Sequence, residues 1–178
     1  MRRNLALIGA LTVAIVVVVL QATAVRATPA SGFSGVTLAQ GAFGPIDVFN
    51  HAFLSSASSP LSRHDRKVWL SWQRTKGKSD LYVQNNTWQP GGSTGWHTHP
   101  GHSLIIVTAG EVTAYEGDDP SCTPHVYAAG TGFVDPGGDH VHNIRNEGTV
   151  EARTVAVQLI PGGATRRIDA PDPGNCGF

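Results

Sequence analysis

The pattern of apolar and polar positions changes character along the chain. Beyond Leu81, short runs rich in Val, Ile, Thr, Tyr and Phe alternate with Gly, Pro and Asn clusters. Such punctuation marks strands joined by tight turns. The runs predict strands at Trp96–His99, Ser103–Ala109, Glu111–Tyr115, His125–Ala129, Phe133–Asp135, His140–Arg145 and Thr149–Ile160. Upstream, Val36–His51 predicts one or two short strands, and Val68–Gln73 with Leu81–Trp88, flanking the basic turn Arg74–Asp80, predict a hairpin. A helix has room only in Asn50–Arg66. Many short strands with Gly-bearing turns predict an all-β sandwich or barrel.

One segment breaks this rhythm. Leu5–Leu20 is almost wholly apolar, follows Arg2 and Arg3, and precedes small residues that offer Ala22-x-Ala24 and Val25-x-Ala27 cleavage sites. A basic start, an apolar stretch and such a site read as a secretory signal peptide, which makes the protein secreted or extracytoplasmic. The alternative is an uncleaved membrane anchor, because the run approaches the ~17–25 residues that span a bilayer. The organisation expected is a signal segment over 1–27, N-terminal strands and a polar loop over 28–62, the barrel over 63–162, and a C-terminal tail over 163–178.

Composition adds the domain count and narrows the partners. With 178 residues, 40% hydrophobic and 15% charged, the chain suits one domain. Its 13 basic residues balance 13 acidic ones, and loss of Arg2, Arg3 and Arg26 with the signal would tip it mildly acidic. That balance argues against a nucleic-acid partner. The clusters Arg63/Arg66/Lys67 and Arg74/Lys76/Lys78 read as a solvated face. The partner expected is a small-molecule ligand, with no membrane contact after signal cleavage; a homodimer paired through edge strands stays open. No nucleophile elbow, phosphate-cradling loop or dinucleotide fingerprint is present.

Export decides the reading of the two cysteines. In an oxidising compartment Cys122 and Cys176 are expected to pair, tying the tail to the loop Gly117–Pro124. Neither has a neighbour at metal-ligand spacing.

The chemistry concentrates in histidine. Six of the eight histidines fall between His97 and His142, four of them as His97-Thr-His99 and His140-Val-His142. On a strand, residues i and i+2 share a face, so each pair places two imidazoles together. Neutral imidazole suits Zn, Fe, Ni, Cu or Mn.

With these residues in view, the sequence resembles the cupin superfamily. Gly91-x5-His97-x-His99-x3-Ser103-x6-Gly110 is similar to the first cupin motif except that Ser103 stands where the pattern has Glu. Gly130-x5-Pro136-x-Gly138…His142-x3-Asn146 is similar to the second, with one extra residue between Gly138 and the histidine. The resemblance implies a single-domain double-stranded β-helix, a jelly-roll barrel, with a divalent transition metal (Fe, Mn, Zn, Ni or Cu) near one mouth. It implies His97, His99 and His142 as metal ligands.

Several readings stay open. The centre has three histidines with open positions, or four if His102 turns inward beside Ser103, or it has lost its metal. The extra residue also lets His140 exchange roles with His142. His140 and His102 are otherwise candidate acid/base residues of the pocket. Tyr82, Gln84 and Asn86 share one face of a strand and are candidate ligand contacts, whereas Trp88, Trp96 and Phe133 are expected in the barrel core. Asp118 and Asp119 read as solvated turn residues, and Asp135 as a cap of the turn at Pro136. The function expected is metal-dependent chemistry, dioxygenase- or isomerase-like, on a small anionic or chelating substrate. The alternatives are a non-catalytic small-molecule or metal-binding barrel and a structural protein with a degenerate site.

Overall fold

A computed structural model describes residues 27–54 and 67–178. The signal segment up to residue 26, the polar loop Ser55–Ser62, His64 and the cluster Arg63/Arg66 lie outside the described residues. All regular structure among the described residues is strand, in the order β1 (Ser31–Phe43), β2 (Asp47–Leu54), β3 (Lys67–Arg74), β4 (Ser79–Ser93), β5 (His97–Thr98), β6 (Ser103–Ala109), β7 (Glu111–Glu116), β8 (His125–Ala128), β9 (Gly132–Asp135), β10 (His142–Arg145), β11 (Ala152–Pro161) and β12 (Ile168–Asp169). Ten of these join one nearly closed antiparallel sheet, and β2 and β3 form a separate pair. This is the all-β architecture expected from the strand rhythm, and it agrees with the jelly-roll barrel that the resemblance implies.

The longest strand, β4, organises the sheet. It pairs with β1 along one edge and β11 along the other. With both edges taken, β4 has no free ladder for β3, so the expected hairpin of Val68–Gln73 with Leu81–Trp88 does not form. Instead β3 pairs with β2, from Asp47 opposite Arg74 to Leu54 opposite Lys67. The same pairing makes Asn50–Leu54 strand, where a helix had room in the sequence. On this two-stranded arm Trp69 and Trp72 are largely exposed.

Strand parity divides the barrel into inside and outside. On β6, Ser103 and Val107 are buried while Leu104 and Ile106 face out. Within the barrel Trp88, Val107, Val112, Ala114, Ile144 and Ala152 form one core cluster, against which Phe33 and Phe133 pack. Fully burying a Val or Ile side chain, such as Val107, Val112 or Ile144, contributes roughly 1.5–3 kcal/mol. Two glycines within the motif segments are dictated by backbone. Gly110 (φ 65°) turns β6 into β7 so tightly that a Cβ would strike Glu151 and Ala152. Gly137 (φ 67°) brings the Pro136 loop against the carbonyl of Gly101, leaving no room for a side chain. The two motif loops are then stitched together, Gly138 N–H donating to His99 O at 2.7 Å and Thr98 Oγ1 to Gly138 O at 2.6 Å.

The tail closes the same end. Strand β12 adds to β5, with Ile168 opposite Thr98 and Asp169 opposite His97. Cys122 and Cys176 are joined across a separation of 54 residues, with Cα atoms 5.3 Å apart, the pairing expected of them. A bridge over such a loop stabilises by roughly 4 kcal/mol on a chain-entropy model. Beyond it Phe178 packs on Tyr115, with ring centroids 4.9 Å apart, and under the Arg145 guanidinium at 3.9 Å.

Candidate metal centre

His97, His99 and His142 converge at the barrel mouth. Each offers a ligand atom within 4.8 Å of the others. His142 stands directly opposite His97 on the β10–β5 ladder, which brings one imidazole from each motif into contact, their planes tilted by 59°. Their ring centroids are 4.3 Å apart, and those of His97 and His99 are 4.8 Å apart. His99 follows β5 rather than lying in it, and still turns its ring inward.

The orientation of the rings is fixed from behind. Nδ1 of His97 lies 2.9 Å from Gly95 O, and Nδ1 of His99 lies 2.6 Å from Arg166 O. A carbonyl only accepts, so Nδ1 carries the proton in both rings and Nε2 presents its lone pair to the cavity. Nδ1 of His142 is buried with no hydrogen-bond partner among the described residues.

Burial keeps the three rings neutral. It holds His97 well below the ordinary imidazole value, reinforced by the charges of His142, Arg167 and His99. His99 is lowered by burial against the opposing pull of Arg166 O and Asp135. His142 is pushed down to about 4, chiefly by burial, with Asp135 opposing. Neutral imidazoles at pH 7 are ready ligands.

The remaining predicted residues divide. Ser103 points inward, 3% exposed, at the position of the family's Glu. His102 does not join the cluster. With Leu104 it lines a separate surface cleft of about 620 Å³ at the β3–β4 turn, where Arg74, Lys76 and Lys78 also lie. The four-histidine reading, in which His102 turns inward, is not the arrangement found, because the parity of β6 aims its first residue, Ser103, into the barrel. His140 lies in the turn before β10, not in the strand, so strand parity does not set its direction. Its ring nonetheless stacks near His142, centroids 5.9 Å apart, and its Nε2 is 2.7 Å from Glu116 Oε2. Burial raises the Glu116 carboxyl above the usual range, against the pull of His140 and His125.

The cavity behind the histidines holds about 240 Å³. Its apolar end is Phe33, Trp88, Ile105, Phe133 and Ile144, and its polar wall includes Gln84, Asn86, Gln158, Arg166 and Arg167. Trp88 and Phe133 therefore serve core and cavity at once, while Trp96 packs with Tyr115, Ala170 and Cys176 away from it. The Arg166 guanidinium contacts Gln84 Oε1, donates to Gln158 Oε1 at 3.1 Å and Thr37 Oγ1 at 3.0 Å, and lies 4.1 Å over the Tyr82 ring. Asp119 accepts from the Ser121 and Thr123 amides, a solvated turn as expected.

Residues 86–158 match the family model described as "Cupin domain". These residues are a cupin domain. Among solved structures the chain is similar to an oxalate oxidase (24% identity over 46% of each chain, TM-score 0.39). It is similar also to the polyketide cyclase RemF of Streptomyces resistomycificus (20% identity, 52% of this chain and 64% of that one, TM-score 0.43). A third is a cupin superfamily protein of Desulfitobacterium hafniense (13% identity, 64% of this chain and 78% of that one, TM-score 0.39). The chain spans under half the length of the oxalate oxidase structures it matches. No curated protein matches the chain.

Sequence reasoning missed three contributors. Arg166 and Arg167 come from the tail, and only the disulfide signalled that the tail returns to the barrel. Asp135 was read as a turn cap, which it is, its Oδ1 accepting from Gly137 N–H at 2.9 Å. It also faces the cluster, 3.5 Å from His99 Nε2 and 3.6 Å from His142 Nδ1.

Proposed function

We propose that this is an exported cupin whose His97, His99 and His142 hold a divalent transition metal and whose cavity takes a small organic anion for metal-dependent chemistry. The observation that carries this reading is the convergence of three neutral imidazoles, two of them locked by main-chain carbonyls with Nε2 aimed into the cavity. The donor set fits such an ion: imidazole is the commonest nitrogen ligand of Zn, Fe, Ni and Cu, and His142 Nδ1 is a buried polar atom with no hydrogen-bond partner among the described residues. The ion, when bound, polarises a carboxylate or carbonyl oxygen of the substrate.

The chain's own residues do the rest. Arg166 and Arg167 bring positive charge to the cavity wall, which favours a carboxylate or enediolate. Trp88 and Phe133 close the far end to water. A volume of about 240 Å³ lies below the ~300–1,000 Å³ typical of sites for drug-sized ligands, which points to a small substrate. Glu116 holds the His140 ring beside His142, so His140 can take or give a proton there while its position is kept. Export is supported by the apolar run Leu5–Leu20 behind Arg2 and Arg3 and by the Cys122–Cys176 pair.

Elemental analysis of protein purified without added metal tests the reading. Less than about 0.1 equivalent in the wild type, unchanged in His97→Ala/His99→Ala, would end it. Turnover across a panel of small carboxylates separates an enzyme from a holding module, which would bind a member of the panel and leave it unaltered.

A further inference from the structure

The first motif lacks its acid, and the structure shows a carboxylate entering the same space from the next strand. Ser103, at the family's Glu position, stands directly opposite Asp135 on the antiparallel β6–β9 ladder. Residues so opposed point to the same face with Cβ atoms about 4.5–5.5 Å apart. Both are buried, Ser103 at 3% and Asp135 at 4% exposure. Ser103 Oγ donates to Asp135 Oδ2 at 3.4 Å, and Gly137 N–H donates to Oδ1 at 2.9 Å. The carboxylate also lies near imidazoles, His99 Nε2 at 3.5 Å and His142 Nδ1 at 3.6 Å, and it forms with His140 and His142 a second set of ligand atoms within 4.8 Å of one another that shares His142 with the three-histidine set. Among the described residues no Lys or Arg forms an ion pair with Asp135.

Charge makes this arrangement informative. A carboxylate withdrawn from water costs several kcal/mol unless an opposite charge compensates it. The groups beside Asp135 are imidazole nitrogens, a hydroxyl and a main-chain N–H, none of them a Lys or Arg that brings a fixed positive charge. A divalent cation among them supplies it, and a carboxylate beside three neutral imidazoles lowers the net charge of such a centre from +2 to +1. We propose that Asp135 completes the centre as its carboxylate ligand, presented from β9 and oriented by Ser103, in place of the glutamate that the family pattern carries on β6. The inference rests on the metal reading above and adds the fourth donor.

The test is a titration of the full-length protein with Co²⁺ in competition with a chromophoric chelator, with the visible absorption of the bound ion read alongside. Asp135→Asn keeps the acceptor for Gly137 N–H and the side-chain volume, and circular dichroism checks its fold. We expect its Co²⁺ affinity to fall about 100-fold or more, since loss of a ligand should match or exceed the 10–100-fold seen for groups behind the ligands. The absorption spectrum should change with the donor set. The exchange Ser103→Glu/Asp135→Ser returns the acid to β6 and should restore both. Ser103→Ala should cost less than Asp135→Asn, because it removes only the donor behind the carboxylate. Affinity unchanged in Asp135→Asn overturns the inference and leaves the three-histidine site standing. Weakened binding with an unaltered spectrum and no recovery in the exchange variant makes Asp135 a positioning residue and overturns the ligand role. A wild-type protein that binds no Co²⁺ overturns the metal reading and this inference together.

Discussion

The main-chain oxygen of Arg166 lies 2.6 Å from Nδ1 of His99, while the Arg166 guanidinium lies in the wall of the same cavity. One residue of the tail thus does two separable things. Its carbonyl sets the tautomer of a candidate metal ligand, and its side chain sets the charge that a substrate meets.

The two roles can be divided by substitution. Arg166→Gln keeps the carbonyl and removes the cation. Metal affinity should stay within a few-fold of wild type, while affinity for a small carboxylate falls about 10- to 100-fold, as expected for losing a hydrogen bond to a charged group worth about 1.5–3 kcal/mol. Isothermal titration of the metal-loaded protein with a dicarboxylate checks both. Equal losses in metal and anion binding would place the guanidinium's contribution in holding the tail instead.

The disulfide should matter to the site as well as to stability. Cys176 sits in the cluster of Trp96, Tyr115 and Ala170, and the strand leading to it pairs with β5 at His97 and Thr98, next to His99. Cys122→Ser/Cys176→Ser should lower the unfolding free energy by about 2–5 kcal/mol. It should also weaken metal binding about 10–100-fold, because His99 loses the fixed carbonyl behind it. Urea unfolding and chelator competition measure the two effects. Full stability loss with unchanged metal affinity would show that β12 holds His99 without the bridge.

Asn146 is the second motif's last residue and a structural one. It is 1% exposed, its Nδ2 donates to Trp88 O at 3.1 Å and Val150 O at 2.8 Å, and its Oδ1 accepts from Gly148 N–H at 3.0 Å. Asn146→Ala strands three main-chain groups and should cost about 3 kcal/mol in urea unfolding, near 1 kcal/mol for each lost bond. Metal stoichiometry of the folded fraction should remain that of wild type.

What the sequence disclosed follows from how local the signals were. Parity within β6, β9, β10 and β11 and the glycine turns between them are written in neighbouring residues, and those strands fall within a few residues of their expected places. His97 and His142 were legible because each motif carries its own spacing. The pairing of β3 with β2 was not, since it depends on β1 and β11 claiming both edges of β4, a fact distributed over the whole chain. Asp135 escaped for the same reason: its partner Ser103 is 32 residues away, and only the ladder brings them together. Arg166 lies outside the motifs altogether and reaches the cavity because the tail folds back.

Acid should loosen the metal-free protein well above the carboxylate range. An unfolded histidine takes up a proton near 6.5, whereas His142 in the fold does so only at about 4. Between those values the unfolded chain binds more protons than the folded one, so stability rises with pH and is lost as pH falls from about 6.5 toward 4. A shift of this size corresponds to about 3 kcal/mol for His142, with His97 and His99 acting in the same direction. Urea midpoints of chelator-treated protein should therefore be flat from pH 8 to about 7 and decline steadily below. His142→Asn should flatten the decline between pH 6 and 4.5, because the depressed exposed carboxylates Asp119 and Glu151 titrate lower still. Saturating divalent metal should move the onset of the decline to lower pH, since bound metal holds the rings unprotonated in the folded state. A metal-free protein whose midpoint does not change between pH 7 and 5 would mean that water reaches these imidazoles and that their burial is not what keeps them neutral.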